Sequence, residues 1–139
     1  MPTIFSKIIQ KEIPAYIVYE DELCLAFLDI SQATKGHTLV IPKKEYMNIL
    51  DLDDEISKHL FSVTVKLAKT IYGVFKPKGI NILNNNGVEA FQSVMHFHIH
   101  IIPRYDYNEI KLTLPNNMNL LTKDEYIERA DQIKSALSQ

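Results

Sequence analysis

Residues 95–102 read Met95-His96-Phe97-His98-Ile99-His100-Ile101-Ile102, so imidazole and apolar side chains alternate. In an extended strand successive side chains point to opposite faces, with residues i and i+2 about 6.5–7 Å apart. Read as a strand, this run turns His96, His98 and His100 to one face. Phe97, Ile99 and Ile101 then form the core side. A helix would scatter the three rings around its axis. The β-branched and aromatic residues between the histidines favour the strand.

Working upstream, Gly79-Ile80-Asn81-Ile82-Leu83 reads as a second strand, joined to the first by the polar loop Asn84 to Ser93. Before it lies the clearest helix. Asp51 is its expected cap, Asp54 and Glu55 place negative charge in its first turn, and Ile56, Leu60, Val63, Leu67, Ile71 and Val74 form one apolar stripe. Lys76-Pro77-Lys78-Gly79 ends it. Three short strands are expected nearer the N-terminus, at Tyr16–Tyr19, Leu23–Leu28 and His37–Ile41, close enough in sequence for an antiparallel meander. Ile4, Phe5, Ile8 and Ile9 recur at helical spacing ahead of Pro14, which predicts a short N-terminal helix. Downstream of Pro103 the pattern is irregular, with a turn expected at Asn116-Asn117. Thr122-Lys123-Asp124-Glu125 then has the form of a capping box, opening a last helix with Tyr126, Ala130, Ile133 and Leu137 on a modest apolar face. The expectation is one α+β domain over residues 1–139: five antiparallel strands, one long central helix, a short N-terminal helix and a C-terminal helix.

The whole-chain numbers narrow the function. At 139 residues the chain is long enough to close a core, and its formal net charge of -2 argues against a nucleic-acid polymer as partner. A small anion held by local groups remains open. Cys24 is the only cysteine, so neither an internal disulfide nor a Cys-rich metal knuckle is available. The first residues lack the layout of a signal peptide, and no apolar run approaches bilayer-spanning length. A cytoplasmic protein without a membrane partner is the expectation.

Three of the five histidines fall within five residues, and that cluster admits three readings. It could be a wet strand face. It could hold a metal, imidazole being the commonest zinc ligand, although three alternate residues of one strand rarely converge at the ~2 Å that zinc requires. Or one imidazole could be a nucleophile, provided one ring nitrogen is held as a donor so that the other keeps its lone pair. Nucleophilic attack on phosphorus also needs donors for the phosphate oxygens and a group near the leaving atom. Asn85, Gln92 and Ser93, with Gly87 for close backbone approach, supply these just before the strand.

Taken together, these residues resemble the histidine-triad (HIT) family, and within it the Hint or protein kinase C-interacting protein branch. The likeness runs over about residues 3–104, leaving 105–139 as a C-terminal extension. It rests on Gln92-Ser93-Val94-Met95-His96-Phe97-His98-Ile99-His100-Ile101, on Ile4-Phe5-Ser6-Lys7-Ile8-Ile9 with Ala26-Phe27-Leu28-Asp29-Ile30-Ser31, and on His37-Thr38-Leu39-Val40-Ile41-Pro42-Lys43-Lys44. The resemblance implies a HIT-like fold and hydrolysis or transfer at the α-phosphate of a purine nucleotide, with no cofactor and no metal. It makes His98 the nucleophile, which becomes a nucleotidyl-histidine. His96 and His37 set its environment, His100 lies near the phosphate and leaving group, and Asn85 and Ser93 contact them, with Gln92 in the same loop. Asp29 would accept from the ribose hydroxyls. Phe5, Ile8, Phe27 and Ile30 would sandwich the purine, although buried core is the ordinary reading of such residues. Phosphoramidates and adenylyl conjugates are the expected substrates. Dinucleoside polyphosphates, as in the Fhit branch, and a purely nucleotide-sensing role are the alternatives. A homodimer is implied, with the long helix and an edge strand of each subunit paired.

The chain also departs from the family. Phe5-Ser6-Lys7-Ile8 stands where some bacterial relatives carry a zinc-binding Cys-x-x-Cys, and Phe91 stands where glycine is usual. The tryptophan that many Hint proteins carry near the C-terminus is absent.

Overall fold

A computed structural model describes residues 2–138. Ile4–Ile9 form α1, opened by Thr3, whose hydroxyl accepts from the Phe5 amide while Ser6 reaches back to the Thr3 amide. Ile17–Glu20, Cys24–Leu28 and Thr38–Pro42 form β1, β2 and β3, an antiparallel meander as the spacing suggests. Asp54–Phe75 form α2, Gly79–Leu83 form β4, Ile99–Arg104 form β5 and Lys123–Leu137 form α3. The sheet order is β1-β2-β3-β5-β4, every pair antiparallel. The expected α+β architecture is therefore the one observed.

Both faces of the sheet are covered. On one, Ile56, Leu60, Val63, Leu67 and Ile71 of α2 pack on Cys24, Ala26, Val40, Phe97, Ile99 and Ile101. Each Val, Leu, Ile or Phe among them contributes about 1.5–3 kcal/mol on full burial. On the other, Phe5 and Ile8 of α1 pack on Leu25, Phe27, Leu39 and Ile41. Because β2 and β3 are buried on both faces, they read as continuous apolar runs rather than as alternation.

Three local expectations are corrected. Asp53, not Asp51, caps α2 by accepting from the Ile56 amide; Asp51 instead serves the 3-10 turn Ile49–Asp51, closing a reciprocal cap with Asn48. Val74 leaves the stripe and is exposed, because the helix ends one residue later with Lys76 in a left-handed conformation (φ 53°). The strand expected at 95–102 begins only at Ile99. Upstream of it the backbone bends, and the Phe97 amide donates to the Tyr46 carbonyl rather than to a neighbouring strand. No side chain of α3 is buried, so its apolar residues face away from this chain's core.

His59, which reads as a surface histidine on α2, donates from Nε2 to Asp21 Oδ2 at 2.7 Å. The same carboxylate accepts from the Tyr19 hydroxyl and from the Leu23 and Cys24 amides at 2.8–2.9 Å. This fastens the β1–β2 turn to the helix. No helix among the described residues is long and apolar enough to cross a membrane.

Candidate active site

The histidines lie on the α1 face of the sheet, and their hydrogen-bond partners assign their protons. His98 Nδ1 is 2.7 Å from the His96 carbonyl, which only accepts, so Nδ1 carries the hydrogen and Nε2 keeps its lone pair. His96 Nε2 donates likewise to the Pro42 carbonyl at 2.8 Å. The Ala33 amide donates to His37 Nδ1 at 3.3 Å, which leaves the His37 hydrogen on Nε2. That Nε2 then donates to His100 Nδ1 at 2.9 Å, so His100 in turn carries its hydrogen on Nε2. A backbone amide thus sets, through two rings, a donor on His100 beside a lone pair on His98. The His98 and His100 ring centres are 5.1 Å apart.

Burial keeps these rings neutral. Removal from water pushes His98, His96 and His37 below the usual histidine range, and it takes His100, with added repulsion from His98 and His37, down to about 4. Asp29 stays a carboxylate: desolvation pushes it up, but the Ser31 hydroxyl and amide, with His37 and His100, outweigh that and hold it below the usual range. Its Oδ2 lies 3.7 Å from His37 Nε2. That is too far for a hydrogen bond.

Two loops hold this arrangement, each fastened by a glutamine folded into it. In the β2–β3 loop Gln32 donates to the Asp29 and His37 carbonyls and accepts from the Gly36 amide. Gly36 must be glycine: its φ is +92°, and a Cβ there would lie 2.9 Å from the Phe75 ring. In the β4–β5 loop Gln92 is buried, donates to the Met47 and Val94 carbonyls and accepts from the Gly87 amide. Asn84 donates to the His98 carbonyl at 2.8 Å and accepts from Asn86, whose side chain accepts from the Ile49 amide. Sequence reasoning missed Gln32, Asn84 and Asn86, since polar loop residues carry no signal that separates strut from solvent.

Of the residues singled out from the sequence, His37, His96, His98 and His100 join one connected region with Asp29. Asn85 is half-buried and reaches the Phe91 carbonyl at 3.5 Å, and Ser93 is exposed at the end of the same loop. Gln92 belongs to the loop, but its amide is already engaged on backbone. Phe5, Ile8 and Phe27 lie in the buried cluster, the Phe5 ring edge-on to Phe27 and with its centre 5.1 Å from that of His98. Ile30 is different: at 85% exposure it stands free beside Asp29.

Two groups among the described residues bring metal-ligating atoms together, Asp29-His37-His100 and Asp21-Cys24-His59. In the first, an ion would have to replace the bond between the His37 and His100 rings. In the second it would displace the His59–Asp21 contact. A cavity of about 760 Å³ lies elsewhere, between β4 and residues 104–113, and none of the histidines lines it.

Comparison with known proteins supplies the family. The family model for the HIT domain matches residues 10–107. The protein hit of Bacillus subtilis is 58% identical over 102 residues, 73% of this chain and 70% of that one. The adenosine 5′-monophosphoramidase of Schizosaccharomyces pombe is 42% identical over 104 residues, 75% of each. A crystal structure of a HIT-family member from Bacillus subtilis superposes with a TM-score of 0.93 at 44% identity, covering 97% of this chain and 96% of that one. With the buried imidazoles wired to one another and three independent likenesses in agreement, this chain belongs to the histidine-triad family.

Proposed function

We propose that the protein hydrolyses purine nucleoside phosphoramidates or related adenylyl conjugates through a covalent nucleotidyl-His98 intermediate. One observation carries this reading: His98 Nδ1 is committed to the His96 carbonyl, so Nε2 keeps the lone pair of a neutral nucleophile. The activity in the name of the Schizosaccharomyces pombe relative supports the substrate class.

In the first step Nε2 forms a bond to the α-phosphorus as the bond from phosphorus to the leaving nitrogen breaks. The departing amine takes one proton, delivered from water through the Ser93 hydroxyl. The His100 Nε2 hydrogen and the Asn85 amide stabilise the charge that develops on the phosphate oxygens. In the second step water attacks phosphorus, the bond to Nε2 breaks, and the nucleoside monophosphate leaves. The proton released from that water balances the one consumed. Asp29 holds the ribose hydroxyls, and Ile30, Phe5, Ile8 and Phe27 provide the apolar surface for the purine.

The test compares the protein with its His98→Ala variant on adenosine 5′-phosphoramidate, with and without chelator. Turnover falls by at least about a thousandfold in the variant and is unchanged by chelator. Equal turnover in both would sink the proposal. Loss on chelation would point to a metal, purine binding without turnover to a sensor, and preference for diadenosine polyphosphates to the alternative hydrolase.

The same reading extends to assembly as a homodimer. Phe61, Val65 and Tyr72 form a second, exposed apolar row on α2, and Ile82 is exposed on the edge strand β4. A C2 pairing of these surfaces would bury both. Sedimentation of a monomer at micromolar concentration would overturn it.

A further inference from the structure

We infer that Phe91 is a specificity residue, the apolar platform for an aromatic leaving group; this rests on the phosphoramidate reading above. Phe91 closes the 3-10 turn Val88–Ala90 with φ 68° and ψ 21°, the left-handed region. A bulky L side chain there is a true outlier, and glycine is the residue this cap favours. The turn requires the conformation, because the Phe91 amide donates to the Val88 carbonyl and the Gln92 amide to the Gly87 carbonyl. Strain of this kind is usually offset by packing, yet the Phe91 side chain is 86% exposed. The fold therefore retains a strained aromatic that contributes nothing to its own core. Such outliers point to a functional role.

Its position says which role. Phe91 precedes Gln92-Ser93, so its Cα is within about 7 Å of that of Ser93. Its carbonyl accepts from Asn85, tying the residue to the proposed phosphate contacts. Val88, which opens the same turn, is also exposed, at 71%. The site thus has two chemically distinct ends. Asp29 and Ile30 lie on the β2–β3 loop, which suits a nucleoside. Val88 and Phe91 lie on the β4–β5 loop beside Ser93, the group assigned to the departing amine. An aromatic ring offers stacking and apolar area but no hydrogen bond, so the substrate class it fits is a nucleoside 5′-phosphoramidate whose nitrogen carries an aryl or arylalkyl group.

The experiment measures kcat/KM for adenosine 5′-N-benzylphosphoramidate and for the N-methyl compound. It uses the wild type, Phe91→Gly and Phe91→Asn, the last keeping tolerance of the left-handed conformation while removing the apolar ring. The wild type prefers the benzyl substrate, and the benzyl-to-methyl ratio drops about three- to tenfold in both variants. Thermal melting accompanies it: Phe91→Gly melts at or above the wild-type temperature. A ratio unchanged in both variants overturns the inference while leaving hydrolysis itself intact. A lower melting temperature for Phe91→Gly also overturns it, because the ring would then be packed rather than free. Absence of turnover by the wild type on both substrates is a separate result that sinks the parent reading and this one together.

Discussion

Two aspartates of this chain each stand beside a histidine, one pair on each face of the sheet, and the pairs are wired differently. On the α2 face, His59 donates straight to Asp21, and the carboxylate is saturated by Tyr19 and two backbone amides. On the α1 face, Asp29 stands 3.7 Å from His37, and the hydrogen bond runs from ring to ring, His37 to His100. The first arrangement consumes every donor it meets and locks a turn to a helix. The second leaves donor capacity unspent, on His100 Nε2, and a lone pair unspent, on His98 Nε2. A structural site is one whose polar groups are all satisfied. A reactive site keeps some open at the cost of burying neutral rings.

That contrast can be broken by removing each side in turn. The largest effect on stability is expected at Asp21. Asp21→Ala removes four hydrogen bonds and leaves two backbone amides and Tyr19 unpaired, costing about 3 kcal/mol in urea unfolding. Tyr19→Phe, which removes one of the four, costs about 1 kcal/mol. Phosphoramidate turnover of both variants remains near wild type at a temperature where they are folded. A tenfold loss of activity in either would show that the two faces are coupled.

A smaller and graded effect separates the two sites by pH. The site imidazoles have folded values below that of an unfolded histidine, about 6.5. Their contribution to stability is therefore complete above pH 6.5 and is lost as pH falls from there toward the folded values, about 4 for His100. Asp21 is also depressed, since the donors around it outweigh desolvation; its contribution is complete above the ordinary carboxylate value of about 4 and is lost only below that. Stability should thus decline in two stages, and kcat/KM should stay flat through pH 6.5, where an ordinary histidine would already be protonating. A kcat/KM profile with its acid limb at pH 6.5 would mean that His98 is not held neutral by burial.

Much of this was legible along the chain, for physical reasons that also explain the misreadings. β1 to β4 lie within a residue or two of their expected positions because runs such as Cys24–Leu28 and Thr38–Pro42 satisfy strand propensity and burial together. β5 starts later than the alternation predicts because alternation outlasts the ladder: Phe97 keeps its core face although its amide bonds to Tyr46. The cap of α2 differs from the expected one because Asp51, Asp53 and Asp54 are equivalent as residues. Only the 3-10 turn at Ile49–Asp51 distinguishes them, by occupying Asp51.

By itself, then, the sequence determined the α+β class, the alternation that puts His96, His98 and His100 on one face, and the family. Each depends on periodicity or on local motifs, which are properties of neighbouring residues. Only the tertiary structure decided which nitrogen is nucleophilic, since that follows from carbonyls and amides brought in from distant segments: Pro42 onto His96, Ala33 onto His37, and His37 across to His100. It also decided that His59 belongs to a structural pin and that Phe91 is strained and exposed. Hydrogen-bond direction and backbone strain arise from where the chain meets itself, and no spacing along it encodes them.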